Sequence, residues 1–226
     1  MALLALAAVS ACTYEGGGVN NPLTRKFEWF SYLGGDDIRA TCMPGSPDRF
    51  RIIYNATWKE QVRIYELGFG GPRRLDEHVI GPGNLISILA EDPLAPWRGT
   101  NAAVTLSDEQ YGALIRNLMA SGAYVSPQQT LTLASTDFYW TVASCHGGVF
   151  HLTGWLYPSA GFDSLKFPQW LQGLDQTGIP FNPPKPWTEV ATAPPGSADN
   201  PVRGSRTATT WTIGIVQDHL LDQIVF

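Results

Sequence analysis

Glycine and proline take 23 and 17 of the 226 positions, about one residue in six. Glycine loses the most backbone freedom when an element fixes it, and proline removes a backbone donor. A chain punctuated this densely is therefore confined to short elements joined by many turns, with few long helices. Aromatic residues reach 12%, including eight tryptophans, and they supply the burial that disordered segments lack. Charged residues are only 15%, against ~25% in an ordinary globular chain. The 20 acidic side chains outnumber the 15 basic ones, for a net charge of -5, and a nucleic-acid partner would call for the opposite balance. The length suits one large β-rich domain better than two small ones.

Residues 48–69 contain two β-rich runs around a polar turn, which predicts a hairpin. In its second arm Val62 and Ile64 are expected to face inward, with Leu67 or Tyr65 competing for that face, and Arg63 and Glu66 to face water. Leu75–Ile80 and Leu85–Leu89 read as short strands, and 91–101 as a Pro-interrupted loop carrying Trp97. Ser107-Asp-Glu-Gln110 has capping-box form, and Tyr111, Leu114, Ile115 and Leu118 fall on one helical stripe that closes at Gly122, so 107–121 is a helix. Gln129–Leu133 and Phe138–Cys145 read as strands, the latter turning through Gly147-Gly148 into Val149–Tyr157. A second helix starts near Asp163-Ser164 or at Phe167-Pro168 and ends near Gly178. Seven prolines then make 178–206 an extended crossing, before a strand at 207–216 and an amphipathic end of open type. Hairpins and helices without βαβ regularity indicate an α+β fold: an antiparallel sheet with two short helices on one face.

The chain opens Met1-Ala-Leu-Leu-Ala-Leu-Ala-Ala-Val-Ser-Ala-Cys12, an apolar run ending in small residues before a cysteine. It resembles a bacterial lipoprotein signal peptide, with Val9-Ser10-Ala11-Cys12 as the lipobox, although no Lys or Arg precedes the apolar run. The resemblance implies that 1–11 is removed and that Cys12 is acylated, anchoring the chain in a membrane at the periplasmic face of the cell envelope. Thr13 in place of Asp after the cysteine implies the outer rather than the inner membrane. Residues 12–22 then form the lipidated Cys12 and a flexible Gly/Asn-rich tether, and 23–226 a single globular domain. With Cys12 assigned to lipid, Cys42 and Cys145 remain in a compartment where disulfides persist, and their pairing is expected.

Motifs for nucleophile elbows, phosphate loops, dinucleotide binding, zinc helices and calcium loops are missing. His146 and His151 could converge on a hairpin, but two histidines without further ligands make a poor metal site, and no metal or cofactor is expected. Cys145-His146 is not read as a nucleophile pair, because neighbours on a strand point to opposite faces and Cys145 has a disulfide partner. An acid–base set would have to come from Asp36, Asp37, Asp76, Glu77 and His78. Asp36-Asp37 reads more readily as a solvated or helix-capping turn, and Asp76-Glu77-His78 as a polar rim. Most aromatics are expected to fill an irregular core, whereas Trp58, Trp97 and Trp187 in loop-like segments are candidate contacts for a ligand or partner.

The resulting expectation is a lipid-anchored, non-enzymatic envelope protein, an interaction or accessory subunit of a membrane or cell-wall assembly with a protein partner. The alternatives are a periplasmic hydrolase or carbohydrate-active enzyme using an acidic pair, and a hydrolase inhibitor presenting a protruding loop such as Gly70–Arg74.

Overall fold

The structure, a computed structural model, describes residues 13–16, 22–58, 60–81, 99–185 and 210–225. Cys12 and the apolar run before it, the strand expected at Leu85–Leu89, Trp97, Trp187 and the crossing from 186 to 206 lie outside the described residues.

The fold is α+β. Strands β1 (Arg49–Ala56), β2 (Gln61–Leu67), β3 (Arg74–Ile80), β4 (Thr100–Thr105), β6 (Phe138–His146) and β7 (Val149–Leu156) form one antiparallel sheet in the order β4-β3-β2-β1-β6-β7. The expected hairpins are its spine: Phe50 pairs with Leu67 across β1–β2, and His146 with Val149 across β6–β7. β5 (Leu131–Ala134) leaves that sheet and joins β8 (Thr210–Val216) and β9 (His219–Val225) in a three-stranded sheet ordered β5-β8-β9. The open-ended C-terminus is thus a strand. It returns from β8 through a two-residue turn in which Gln217 and Asp218 both have positive φ, the twist that suits a tight hairpin.

Helix α3 (Asp108–Ala120) carries the capping box in full. The Ser107 hydroxyl accepts from the Gln110 N–H, and the Gln110 side chain accepts from the Ser107 N–H. α5 (Phe167–Leu174) follows α4 (Ala160–Asp163) and begins at the expected Phe167-Pro168. It ends at Leu174 rather than near Gly178, because Asp175 turns extended and its carboxylate engages the sheet.

The expectation of helices on one face is corrected. One face, with Phe50, Ile52, Tyr54, Tyr65, Trp140 and Val142, is covered by α3 and α5 through Leu114, Leu118, Phe167 and Leu171. The other, with Ile53, Val62, Ile64, Tyr139 and Ala143, lies beneath the small sheet and beneath α1 (Pro22–Gly34) and α2 (Asp36–Thr41). Gly35 caps the start of α2: its φ is 69°, and a Cβ placed there would lie 2.6 Å from Ala143 Cβ, so the position has no room for a side chain.

Three further expectations change for the same reason. With both faces covered, no strand face in the middle of the sheet is wet, and Arg63 is 1% exposed rather than solvated. Tyr14, placed in a free tether, is buried: its N–H donates to Ser31 Oγ at 2.9 Å, and its ring meets Tyr32 edge-on. Trp58 is half-buried between Trp29 and Trp211, at centroid separations of 4.7 and 5.6 Å, so it fills the core and does not stand as a free platform.

Cys42 and Cys145 form the expected disulfide, joining the end of α2 to β6 across 103 residues of sequence. Closing a loop of that length removes unfolded-state entropy. Replacing both cysteines with serine is expected to lower stability by about 2–5 kcal/mol, read as a reduced midpoint in urea.

Candidate functional site

Three polar clusters could carry chemistry. The first is centred on Arg51, in the middle of the large sheet and 1% exposed. Its Nη1 and Nη2 grip both oxygens of Asp37 at 2.8 Å, its Nε donates to Glu66 at 2.8 Å, and Nη1 also reaches the Tyr32 carbonyl. The guanidinium lies 3.7 Å from the Tyr32 ring centroid, with Tyr14 and Phe69 close by. Burial works against its charge, but Tyr32, Asp37 and Glu66 outweigh burial and raise the Arg51 pKa. Asp37 is therefore spent on structure. Asp36 accepts from Ser31 Oγ at 2.6 Å within the first turn of α2.

The other members of the expected acid–base set separate because side chains alternate along β3. Asp76 pairs with Arg74 at 2.7 Å near the surface. His78 Nδ1 lies 2.5 Å from Asn101 Oδ1, on the same face as Asp76. Glu77 points through the sheet to the opposite face, where its carboxylate accepts the Gln176 N–H. Asp36, Asp37, Asp76, Glu77 and His78 do not converge on one site.

The second cluster was not expected from the sequence. Asp48, at the entry to β1, faces the β6–β7 turn. Its Oδ2 lies 2.7 Å from His146 Nδ1 and accepts the Tyr111 hydroxyl at 3.0 Å, and its Oδ1 accepts the Gly147 N–H at 3.0 Å. Burial alone would raise the Asp48 pKa; the Gly147 N–H, His146 and Tyr111 prevail and hold it below the ordinary value. Tyr124 stacks on His146 at 5.0 Å and approaches His151 at 5.9 Å. His146 and His151 do share a face, as the hairpin allows, with Tyr124 against both rings. Cys145 points to the other face, into its disulfide. Among the described residues no group of three or more His, Cys, Asp or Glu is placed to hold a metal ion. With the imidazole fixed at Nδ1 by a carboxylate, this cluster is built like the base half of an acid–base pair.

The third cluster joins Arg63, Asp175, Tyr65 and Glu77 beneath residues 175–182. Arg63 Nη1 meets Asp175 at 2.5 Å, Tyr65 donates to the same carboxylate at 2.8 Å, and Arg63 Nε donates to Gln61 at 2.8 Å. The sequence signal missed here was Arg63 itself, a cation in the middle of a strand flanked by apolar residues on both sides. Gly70–Arg74, the loop considered for an inhibitor, is an exposed turn leashed to α3 by Arg73 and Asp108 at 2.6 Å. Asn55, in the run Asn55-Ala56-Thr57, is buried and donates to the Ser135 and Asp137 carbonyls. Comparison with family models, with curated proteins and with solved structures finds no match.

Arg51→Ala leaves Asp37 and Glu66 without their cation in a dry setting and is expected to cost about 3–5 kcal/mol in urea unfolding. Lysine cannot rebuild the two-pronged contact, so Arg51→Lys should recover only part of the loss. Because Asp48 titrates below its ordinary value of 3.8, the stability it contributes is present above that value and lost as pH falls through the lowered one. Asp48→Asn is accordingly expected to be less stable than wild type at about pH 6, with the difference shrinking as pH falls below 3.8, as read from urea midpoints across that range.

Proposed function

We propose that the protein is a non-enzymatic component of a bacterial cell envelope, anchored through an acylated Cys12 at the periplasmic face of the outer membrane, that serves an envelope assembly through contact with another protein. The observation that carries this reading is the Cys42–Cys145 disulfide. A bridge between distant elements belongs to chains that mature in an oxidising compartment, where the opening lipobox would also send this one. The disposition of acidic residues adds support. Asp37 is held by Arg51 and Glu77 by a backbone amide, while Asp76 pairs with Arg74 near the surface, so the acidic residues that a hydrolase would use do not share one site.

Two measurements test the reading. Mass spectrometry of protein recovered from membranes should find an N-terminal Cys12 bearing acyl chains, with Cys12→Ser leaving the membrane fraction; an unmodified chain retaining Met1 refutes the anchor. Cross-linking in intact cells followed by gentle solubilisation should recover a second envelope protein reproducibly, and recovery of this chain alone in every detergent counts against an accessory role.

A second reading rests on Asp48, which meets both His146 and Tyr111: general-base hydrolysis by His146, oriented by Asp48, in the same compartment. It requires Asp48→Asn and His146→Gln to abolish a hydrolytic activity that the wild type displays on cell-wall or ester substrates.

A further inference from the structure

Residues 175–182 cross the α3–α5 face of the large sheet as an extended strap, gripped by side chains. Asp175 takes Arg63 and Tyr65; Arg63 Nη2 donates to the Ile179 carbonyl; Gln61 Nε2 donates to the Pro180 carbonyl at 2.9 Å, and its Oε1 accepts the Asn182 N–H at 3.1 Å. Tyr54 donates to the Asn182 carbonyl at 2.9 Å, and Phe181 stacks on Tyr54 at 4.6 Å, continuing a pile that includes Trp140.

Glu77 differs from the other grips. Its Oε2 accepts the Gln176 N–H at 2.7 Å, while Oε1 is buried with no hydrogen-bond partner among the described residues. Arg63 has committed Nε to Gln61, Nη1 to Asp175 and Nη2 to Ile179. Among the described residues the ionisable groups around Glu77 are Arg63 and Tyr65 from β2 and Asp175 from the strap itself, and across the ladder β4 presents the uncharged Ala102. Once ionised, Glu77 would be a buried carboxylate beside that of Asp175, receiving no bond from a cation. Neutral, it loses that conflict and keeps an oxygen for the amide.

We propose that the strap is a proton-operated latch: while it lies closed over Tyr54 and Trp140 it holds Glu77 protonated, and its opening lets Glu77 ionise, so rising pH releases it. Burial, partly offset by the Gln176 N–H and then reinforced by Asp175, pushes the Glu77 pKa from 4.5 up to about 7. A group whose pKa is raised in the closed form favours closure fully below the ordinary value and loses that contribution as pH rises through the raised one. The opening equilibrium therefore climbs between these two values and levels off above neutrality.

Hydrogen exchange of the full chain, corrected for intrinsic rates, tests the latch across about pH 5 to pH 8. In wild type, opening of the 175–182 amides should rise about 40-fold between about pH 5 and pH 7 and then flatten. Glu77→Gln, which keeps an acceptor oxygen and cannot ionise, should show no such rise. A flat wild-type profile, the same rise in Glu77→Gln, or an equal rise in the β1 amides, which would mean global unfolding, overturns the proposal. Should Glu77→Gln fail to fold, carbon-13 titration of the wild-type Glu77 carboxyl decides: a midpoint near neutrality supports the latch, and one in the ordinary carboxylate range overturns it.

Discussion

The guanidinium of Arg51 is the point on which the two halves of the molecule agree. It sits on β1, the third strand from one edge of the sheet, and its donors reach α1 through the Tyr32 carbonyl, α2 through Asp37 and β2 through Glu66. A buried cation of this kind is weak evidence for net stability, since its desolvation opposes its pairing. It does constrain geometry. Its four hydrogen bonds tie α1, α2 and β2 to one residue, and Tyr32 and Tyr14 complete the surround with ring faces instead of further charges.

The same economy explains the low charge content. In a sheet covered on both sides, each ionised side chain in the middle strands needs a partner from a neighbouring strand, as Glu66 is for Arg51, or from the covering layer. Arg51 finds Asp37 on one side, and Arg63 finds Asp175 on the other. The two pairs are rooted on neighbouring strands but face opposite layers. One fixes helices whose position is set early in the chain, and the other holds an extended stretch more than a hundred residues later.

Much of this was legible in the chain, and the reasons separate cleanly. The β1–β2 and β6–β7 hairpins, α3 with its cap and the start of α5 rest on local signals: alternation, turn residues, a capping box and a proline in the first turn. The disulfide followed from counting cysteines once Cys12 was set aside. What escaped was set by tertiary contact. Alternation along β2 places Arg63 on a separate face from Val62, but cannot say that the face is roofed. α1 lacks acidic residues in its first turn and basic ones in its last, so the charge pattern that marks helix ends is missing there. Asp48, Tyr111, Tyr124 and His146 come from four separate segments, and no spacing links them. Trp58 resembled a loop aromatic because nothing local shows that Trp29 and Trp211 close around it.

The burial of Tyr14 bears on how the domain would sit if Cys12 is acylated. Two residues span at most about 7 Å, so a core-anchored Tyr14 cannot let the body swing on a leash. The surface around Tyr14 and α1 would then be held close to the lipid headgroups. Anchored in that way, the domain would act less like a buoy than like a stud set into the membrane, and its partners would be those that share the same narrow layer above the bilayer.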